Sequence, residues 1–248
     1  MTLAALKASL SLWKRRLGSR KKLLANAKQD YLEARTADVH PRQHLKDKVA
    51  LREQQVEEAE NRIKLREDQI AKKNKGKVRR PAEKVKMNVV CQSSRGGVKP
   101  RLIVLHTTEG NNVPNSAQDL VGLGQFFNRS ATQASSHVGV DGDGYGAQYV
   151  PDDKKAWTQA SFNPQALSVE QVGRAAQGTF PEAQLRMTAK YIAYWSVKYN
   201  IPITKSTTHG VCEHKHLGAA GGGHVDCGPN YPFERVLGYA REYVKNGW

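Results

Sequence analysis

The sequence predicts an α/β fold: a small mixed central β-sheet flanked by helices, preceded by a basic α-helical hairpin or coiled-coil segment. Three observations predict it. From residue 89 onward, short β-branched and glycine-containing runs alternate with helical stretches, the pattern of a sheet with helices packed on it. The first third instead carries apolar residues at helical spacing, with only Gly18 before Gly76 and only Trp13 and Tyr31 as aromatics. The charge is lopsided as well: residues 1–87 hold 24 of the 39 Lys and Arg but 11 of the 23 Asp and Glu, so +13 of the net +16 lies there.

In chain order, Leu3, Leu6, Leu10, Trp13 and Leu17 recur at three- and four-residue steps, which describes one stripe of a helix. Val49, Val56, Ile63 and Ile70 recur at seven, with Leu45, Arg52, Ala59 and Arg66 in the companion seam. Two seam arginines argue against a long stable two-stranded coil, and the expected form is a basic helical hairpin. Pro41 is expected to break the helical run, because proline lacks a backbone donor and disfavours helix at the residue before it. Residues 1–75 therefore read as a helical module. The aperiodic, six-cation stretch Ala71–Pro81 places a linker over 76–88, and 89–248 form the remaining domain.

Within that domain, Arg101–Leu105 reads as a buried strand with His106 at its tip, and Ser116–Asn128 as a helix. Ser135–Val140 and Tyr145–Val150 form a hairpin around Asp141-Gly-Asp-Gly144, Leu167–Val172 is a strand, and Pro181–Tyr199 is a helix. Of the eight histidines, four crowd into residues 209–224, beside Cys212, Asp226 and Cys227. Imidazole, thiolate and carboxylate are the donors zinc prefers, and without paired Cys-x2-Cys motifs the pattern favours an open, catalytic site over a closed structural one.

The composition also excludes. The longest apolar runs fall far short of the ~20 residues of a membrane span, and three cysteines supply no disulfide framework. Met1–Trp13 does not read as an export signal, since Lys7 interrupts it and Lys14-Arg15-Arg16 follows rather than precedes it.

Several blocks in order, LIVLHTTEG, SSHVGVDGDGYGAQYVPDDKKAW, LSVEQVG, EHKHLG and HVDCGP, make residues 100–232 resemble the zinc-dependent N-acetylmuramoyl-L-alanine amidases shared by phage endolysins, bacterial amidases and peptidoglycan-recognition proteins. The resemblance implies Zn2+ bound by His106, His214 and Asp226. Glu213 stands where the family has glycine, and Cys227 competes with Asp226 for the third ligand position; keeping Gly228-Pro229 in register favours Asp226. It implies Glu170 as the catalytic carboxylate and His224 as stabiliser of the developing oxyanion. Thr107, His137, Trp157 and Asn163 are implied to contact substrate, with Thr158 where a histidine is common. His209 and His216 are rival metal donors, and Cys91 and Cys212 are expected to be buried thiols.

The expected activity is zinc-assisted cleavage of the bond between N-acetylmuramic acid and L-alanine in bacterial peptidoglycan. A non-catalytic peptidoglycan-binding module is the alternative. With no export signal read, the expectation is an endolysin made in a host cytoplasm and released to the wall by a holin. Residues 1–87 are expected to meet anionic wall polymers or membrane surface, to self-associate through the helices, or to act as a spacer. A nucleic-acid-binding structural role is the weaker reading.

Overall fold

The computed structural model describes residues 2–36, 43–74, 77–111 and 117–248. The break expected at Pro41 and the helix start expected at Ser116 lie outside them. The chain divides into two compact units, Met1–Lys75 and Gly76–Trp248.

The first unit is two long helices, α1 (Leu3–Thr36) and α2 (Gln43–Asn74). Their seam buries Leu6, Leu10, Ala27, Ala59 and Ile70, with Leu3 and Ile63 partly covered. The heptad read from the sequence is thus satisfied within one chain, as an antiparallel pair. Seven-residue steps of charge set its register: Lys14–Glu67, Lys21–Glu60 and Lys28–Glu53 pair at 3.1, 2.9 and 2.8 Å along one edge. Each pair is exposed and worth under ~1 kcal/mol, but a shifted register would lose all three. The seam arginines turn sideways: Arg66 donates to Ser9 and Gln69, and Arg52 to Gln55, keeping their charged ends at the seam's rim.

The second unit is built on a six-stranded sheet, ordered β1-β5-β4-β7-β3-β8. Its strands are β1 (Val85–Lys86), β3 (Leu102–Thr107), β4 (Val138–Val140), β5 (Gly146–Gln148), β7 (Ala166–Gln171) and β8 (Gly210–Glu213). A short antiparallel pair, β2 (Gln92–Ser94) with β6 (Lys154–Ala156), lies apart from it. Strands β4, β7, β3 and β8 are parallel neighbours, while β5 returns antiparallel beside β4 as the hairpin reading requires.

Side chains alternate across this sheet. Ile103, Leu105, Leu167, Val169 and Val211 join the large core cluster that contains helix α4 (Glu182–Tyr199) and helix α5 (Phe233–Asn246). The opposite face holds Leu102, Val104, Ala166 and Cys212, and helix α3 (Gln118–Phe127) packs there over Tyr149. Helix α5 goes beyond the sequence expectations, although its buried Phe233, Val236, Leu237 and Ala240 follow a helical stripe.

The linker expected over 76–88 is corrected. Val78 is buried in the main core, β1 extends the sheet, and the amides of Lys84 and Met87 donate to Gly146 and Gln148. Arg80 reaches the buried Asp152 at 2.8 Å, which also accepts from Lys198 at 2.8 Å. Arg80 thus has one carboxylate partner three residues on, Glu83, and another 72 residues away. Among the described residues no helix is long and apolar enough to cross a membrane.

Replacing Asp152 by Asn removes the carboxylate shared by Arg80 and Lys198 while Glu83 still holds Arg80, so the cost should be about 1–3 kcal/mol, below that of orphaning a buried charge. Denaturant unfolding of the Asp152→Asn chain should show that loss without a change in the helical hairpin's own transition.

Candidate metal and catalytic site

Parallel pairing aligns strand ends. His106 on β3 is the register partner of Glu170 on β7, so both side chains leave the same face at the carboxyl edge of the sheet. Strand β8 ends at Glu213, and His214 is the next residue, beginning the short helical segment His214–Gly221. Glu213 caps that segment: its carboxylate accepts from the His216 amide, while His216 Nδ1 accepts from the Glu213 amide. This capping box explains why a buried glutamate stands at the position where the resemblance calls for glycine.

The third arm of the site is the loop carrying Asp226. Its carbonyl accepts from the Lys215 amide at 2.8 Å. Gly228, at φ +92, lies so close to the Ala175 backbone that an added Cβ would stand 1.8 Å from its carbonyl oxygen, so glycine is required there. Glu109, beyond β3, accepts from the Ala175 amide at 2.8 Å. The loops after β3 and β7 and the Asp226 loop are thereby fastened to one another.

His106, His214 and Asp226, all buried, present donor atoms within 4.8 Å of one another. The two Nδ1 atoms are 3.0 Å apart, and Asp226 lies 3.1 Å from His214 Nδ1 and 3.3 Å from His106 Nδ1. Three donors at zinc bond lengths of 2.0–2.1 Å in a tetrahedron stand about 3.3 Å apart, so the cluster fits such an ion. His214 Nε2–H donates to the Gly221 carbonyl at 2.8 Å, which leaves Nδ1 as the lone-pair donor, the orienting arrangement common in metal-binding histidines.

The electrostatics separate the two carboxylates. Burial works to raise Asp226, but hydrogen bonds and proximity to His106 and His214 prevail and hold it far below the usual carboxylate range. Burial, with Asp226 and Glu109 nearby, pushes Glu170 up to about 8; its Oε2 is buried without a hydrogen-bond partner. His106 is lowered by burial against the pull of Asp226, with His214 and His224 adding to the lowering. His224 is exposed and stacks on His214, with ring centroids 4.4 Å apart and planes at 17°.

The structure divides the other expected residues. Cys227 turns into the main core beside Gln171, away from the histidines. His209 is exposed at the far end of β8, and His216 packs edge-on to Phe233, so neither joins the cluster. Cys91 and Cys212 are buried and free.

His137, expected to contact substrate, is fully buried: Ser168 and Lys154 hold its ring, Arg95 packs against it, and burial followed by that guanidinium pulls it down to about 3. It is a neutral core histidine. Asn163 accepts from the Thr158 and Gln159 amides, and Trp157 Nε1 donates to Ser93. Both hold the loop in shape. Thr107 donates to Glu109 at 2.8 Å, leaving its hydroxyl proton engaged.

Sequence reasoning missed Gln171. Fully buried on the face opposite Glu170, it donates to the His106 carbonyl and Cys227 Sγ and accepts from Thr188 and Tyr231. A glutamine one step past a catalytic candidate, on the core side of an alternating strand, was the available signal.

The family model for N-acetylmuramoyl-L-alanine amidase matches residues 96–229, a span containing the whole cluster and Glu170. The chain belongs to the N-acetylmuramoyl-L-alanine amidase family. The amidase unit is that of a hydrolase acting on the amide between N-acetylmuramic acid and L-alanine of peptidoglycan. Among solved structures, the Staphylococcus aureus hydrolase AmiA, in complex with its ligand, superposes with a TM-score of 0.53 at 21% identity, covering 71% of this chain and 88% of its own. A selenomethionine AmpD derivative gives 0.50 at 19%, covering 64% and 95%. An endolysin amidase, LysCS of Clostridium intestinale, gives 0.49 at 20%, covering 65% and 96%. At this identity the first two establish a shared fold. Comparison with curated protein sequences returned no match.

Because the folded amidase disfavours ionised Glu170, the folded chain holds a proton that the unfolded chain releases at lower pH. In metal-free protein this contribution falls as pH rises from about 4.5 toward about 8. Glu170→Gln, melted in chelator, should therefore gain on the order of 2–4 kcal/mol over the parent at pH 8, with the difference vanishing near pH 4.

Proposed function

We propose that the chain is a zinc-dependent endolysin. The observation that carries the reading is the convergence of His106 Nδ1, His214 Nδ1 and Asp226 at 3.0–3.3 Å on the sheet edge that also presents Glu170. When bound there, zinc supplies a Lewis acid that makes water nucleophilic near neutral pH. Every other role falls to the chain's own groups.

Glu170, ionised, takes the proton from the attacking water and delivers it to the departing L-alanine nitrogen. A half-buried carboxyl with one unpartnered, buried oxygen, raised toward neutral pH, is suited to both halves of that transfer. His224, at the exposed mouth, donates to the oxygen on which charge develops. Just past the ends of β3 and β7, a groove of about 430 Å³ runs between Thr108, Gly110 and Val172 on one side and Gly122, Leu123 and Phe126 of α3 on the other. It is wide enough for a glycan or stem-peptide segment beside the reacting bond.

Three free, buried cysteines suit synthesis in a reducing host cytoplasm before holin-dependent release to the wall. The basic hairpin adds a salt-sensitive attraction to anionic wall polymer or membrane surface.

Digestion of purified peptidoglycan should release intact stem peptides with free L-alanine amino termini, read by mass spectrometry. A chelator should abolish release and added Zn2+ restore it. Glu170→Gln should lower kcat by 10²–10⁴-fold while retaining bound zinc, whereas Asp226→Ala should lose both and Cys227→Ser should keep both. Stem peptides released at full rate by Asp226→Ala would refute the metal assignment.

Gln171→Leu should weaken zinc binding 10–100-fold in a chelator competition, as loss of the partners that orient metal ligands does. It should leave the Glu170-dependent pH effect on stability in place.

A further inference from the structure

The two edges of the helical hairpin differ. Along one, every lysine of the 14, 21, 28 series has a glutamate. Along the other, Lys48 meets Asp30, Arg20 meets Glu58 and Arg66 meets Ser9, which fixes that Arg16 of α1 and Arg62 of α2 oppose each other. No carboxylate among the described residues pairs with either. Both guanidinium groups instead sit over the Trp13 ring, 5.0 and 5.9 Å from its centroid. Like charges opposed across a coiled coil repel, and cation–π contact with one indole holds them in place with their outward donors unused.

On the same side of the ribbon the helical periodicity places Leu12 and Leu23 of α1 and Leu51 and Leu65 of α2, 39–51% exposed. Antiparallel pairing sets Leu12 beside Leu65 at one end and Leu23 near Leu51 toward the other, with the two arginines between them. Arg20 also lies over the ring, 5.6 Å from its centroid, but its charge is met by Glu58; a single face thus offers two guanidinium groups outside any ion pair among the described residues, flanked by exposed apolar side chains.

We infer that this face of the hairpin docks on an anionic lipid surface, with Arg16 and Arg62 gripping a phosphodiester headgroup and the leucines entering the acyl boundary. The inference rests on the envelope-directed reading of the hairpin and is independent of the amidase chemistry. A second copy of the chain is the poorer occupant, because burying the leucines against each other would bring four unpaired guanidinium groups together. A wall polymer or nucleic acid would use the arginines but leave the leucines without a partner.

The test is co-sedimentation of the full chain with phosphatidylglycerol–phosphatidylcholine vesicles. Arg16→Gln/Arg62→Gln should weaken binding about thirty-fold, from the effect of two surface cations, and Leu12→Ser/Leu65→Ser about tenfold or more. The charge-matched pair Arg15→Gln/Lys22→Gln, on the back of α1 and in no ion pair, should cost about threefold or less. Circular dichroism should show unchanged helicity throughout, and cleavage of a soluble muropeptide should be the same for all, so that a failed amidase reading is seen separately. Equal losses from the two cation pairs would overturn the inference. So would full binding by the leucine variant, tighter retention of duplex DNA than of vesicles, or a leucine-dependent dimer in sedimentation without lipid.

Discussion

The parallel register of β7, β3 and β8 is the constraint on which the rest of the catalytic unit depends. It pairs His106 with Glu170 and brings β8 to its end one residue before His214. Because side chains alternate, a slip of one residue in any of these strands would send its functional group into the core beneath α4 and α5 and bring a core residue to the site. The large apolar cluster on that face, containing Ile103, Leu105, Leu167, Val169 and Val211, therefore does more than stabilise: it fixes which residues can reach the His106–His214–Asp226 cluster. The location also follows the general rule that open α/β sheets bind ligands beyond the carboxyl ends of their strands.

Two carboxylates on that edge have opposite fates, decided by partners. Asp226 is met by two imidazole nitrogens and stays ionised, a donor for a cation. Glu170 is half-buried, with an unpartnered oxygen near other negative groups, and is held close to neutral pH, where a proton can go either way. Environments that push paired titratable groups apart are how one site comes to hold a ligand and a general base together. The buried Gln171, tied to His106, Cys227, Thr188 and Tyr231, links both helices' side of the core to this arrangement.

The hairpin is organised by different physics. Its seam is thin, with arginines at two core positions, and its register comes from a charge ladder whose rungs are individually weak. One face is left with the opposed Arg16 and Arg62 and four exposed leucines.

The sequence by itself determined the two-part organisation and the helical nature of residues 3–36 and 43–74; that His106, Glu170, His214, His224 and Asp226 belong together was what the family resemblance of the blocks around them implied. The first two signals are local: heptad spacing and charge bias. Tertiary structure decided everything that needs a distant partner. Whether Asp226 or Cys227 faces the histidines depends on the contact of Gly228 with Ala175, 53 positions earlier. Whether residues 77–88 hang free or join the sheet depends on Asp152 and on the β5 edge. His137 reads like a cleft residue but lies in the core, because Arg95, Lys154 and Ser168 come from three other segments to close over it. Periodicity tells which face a side chain leaves from; only packing tells what is waiting there.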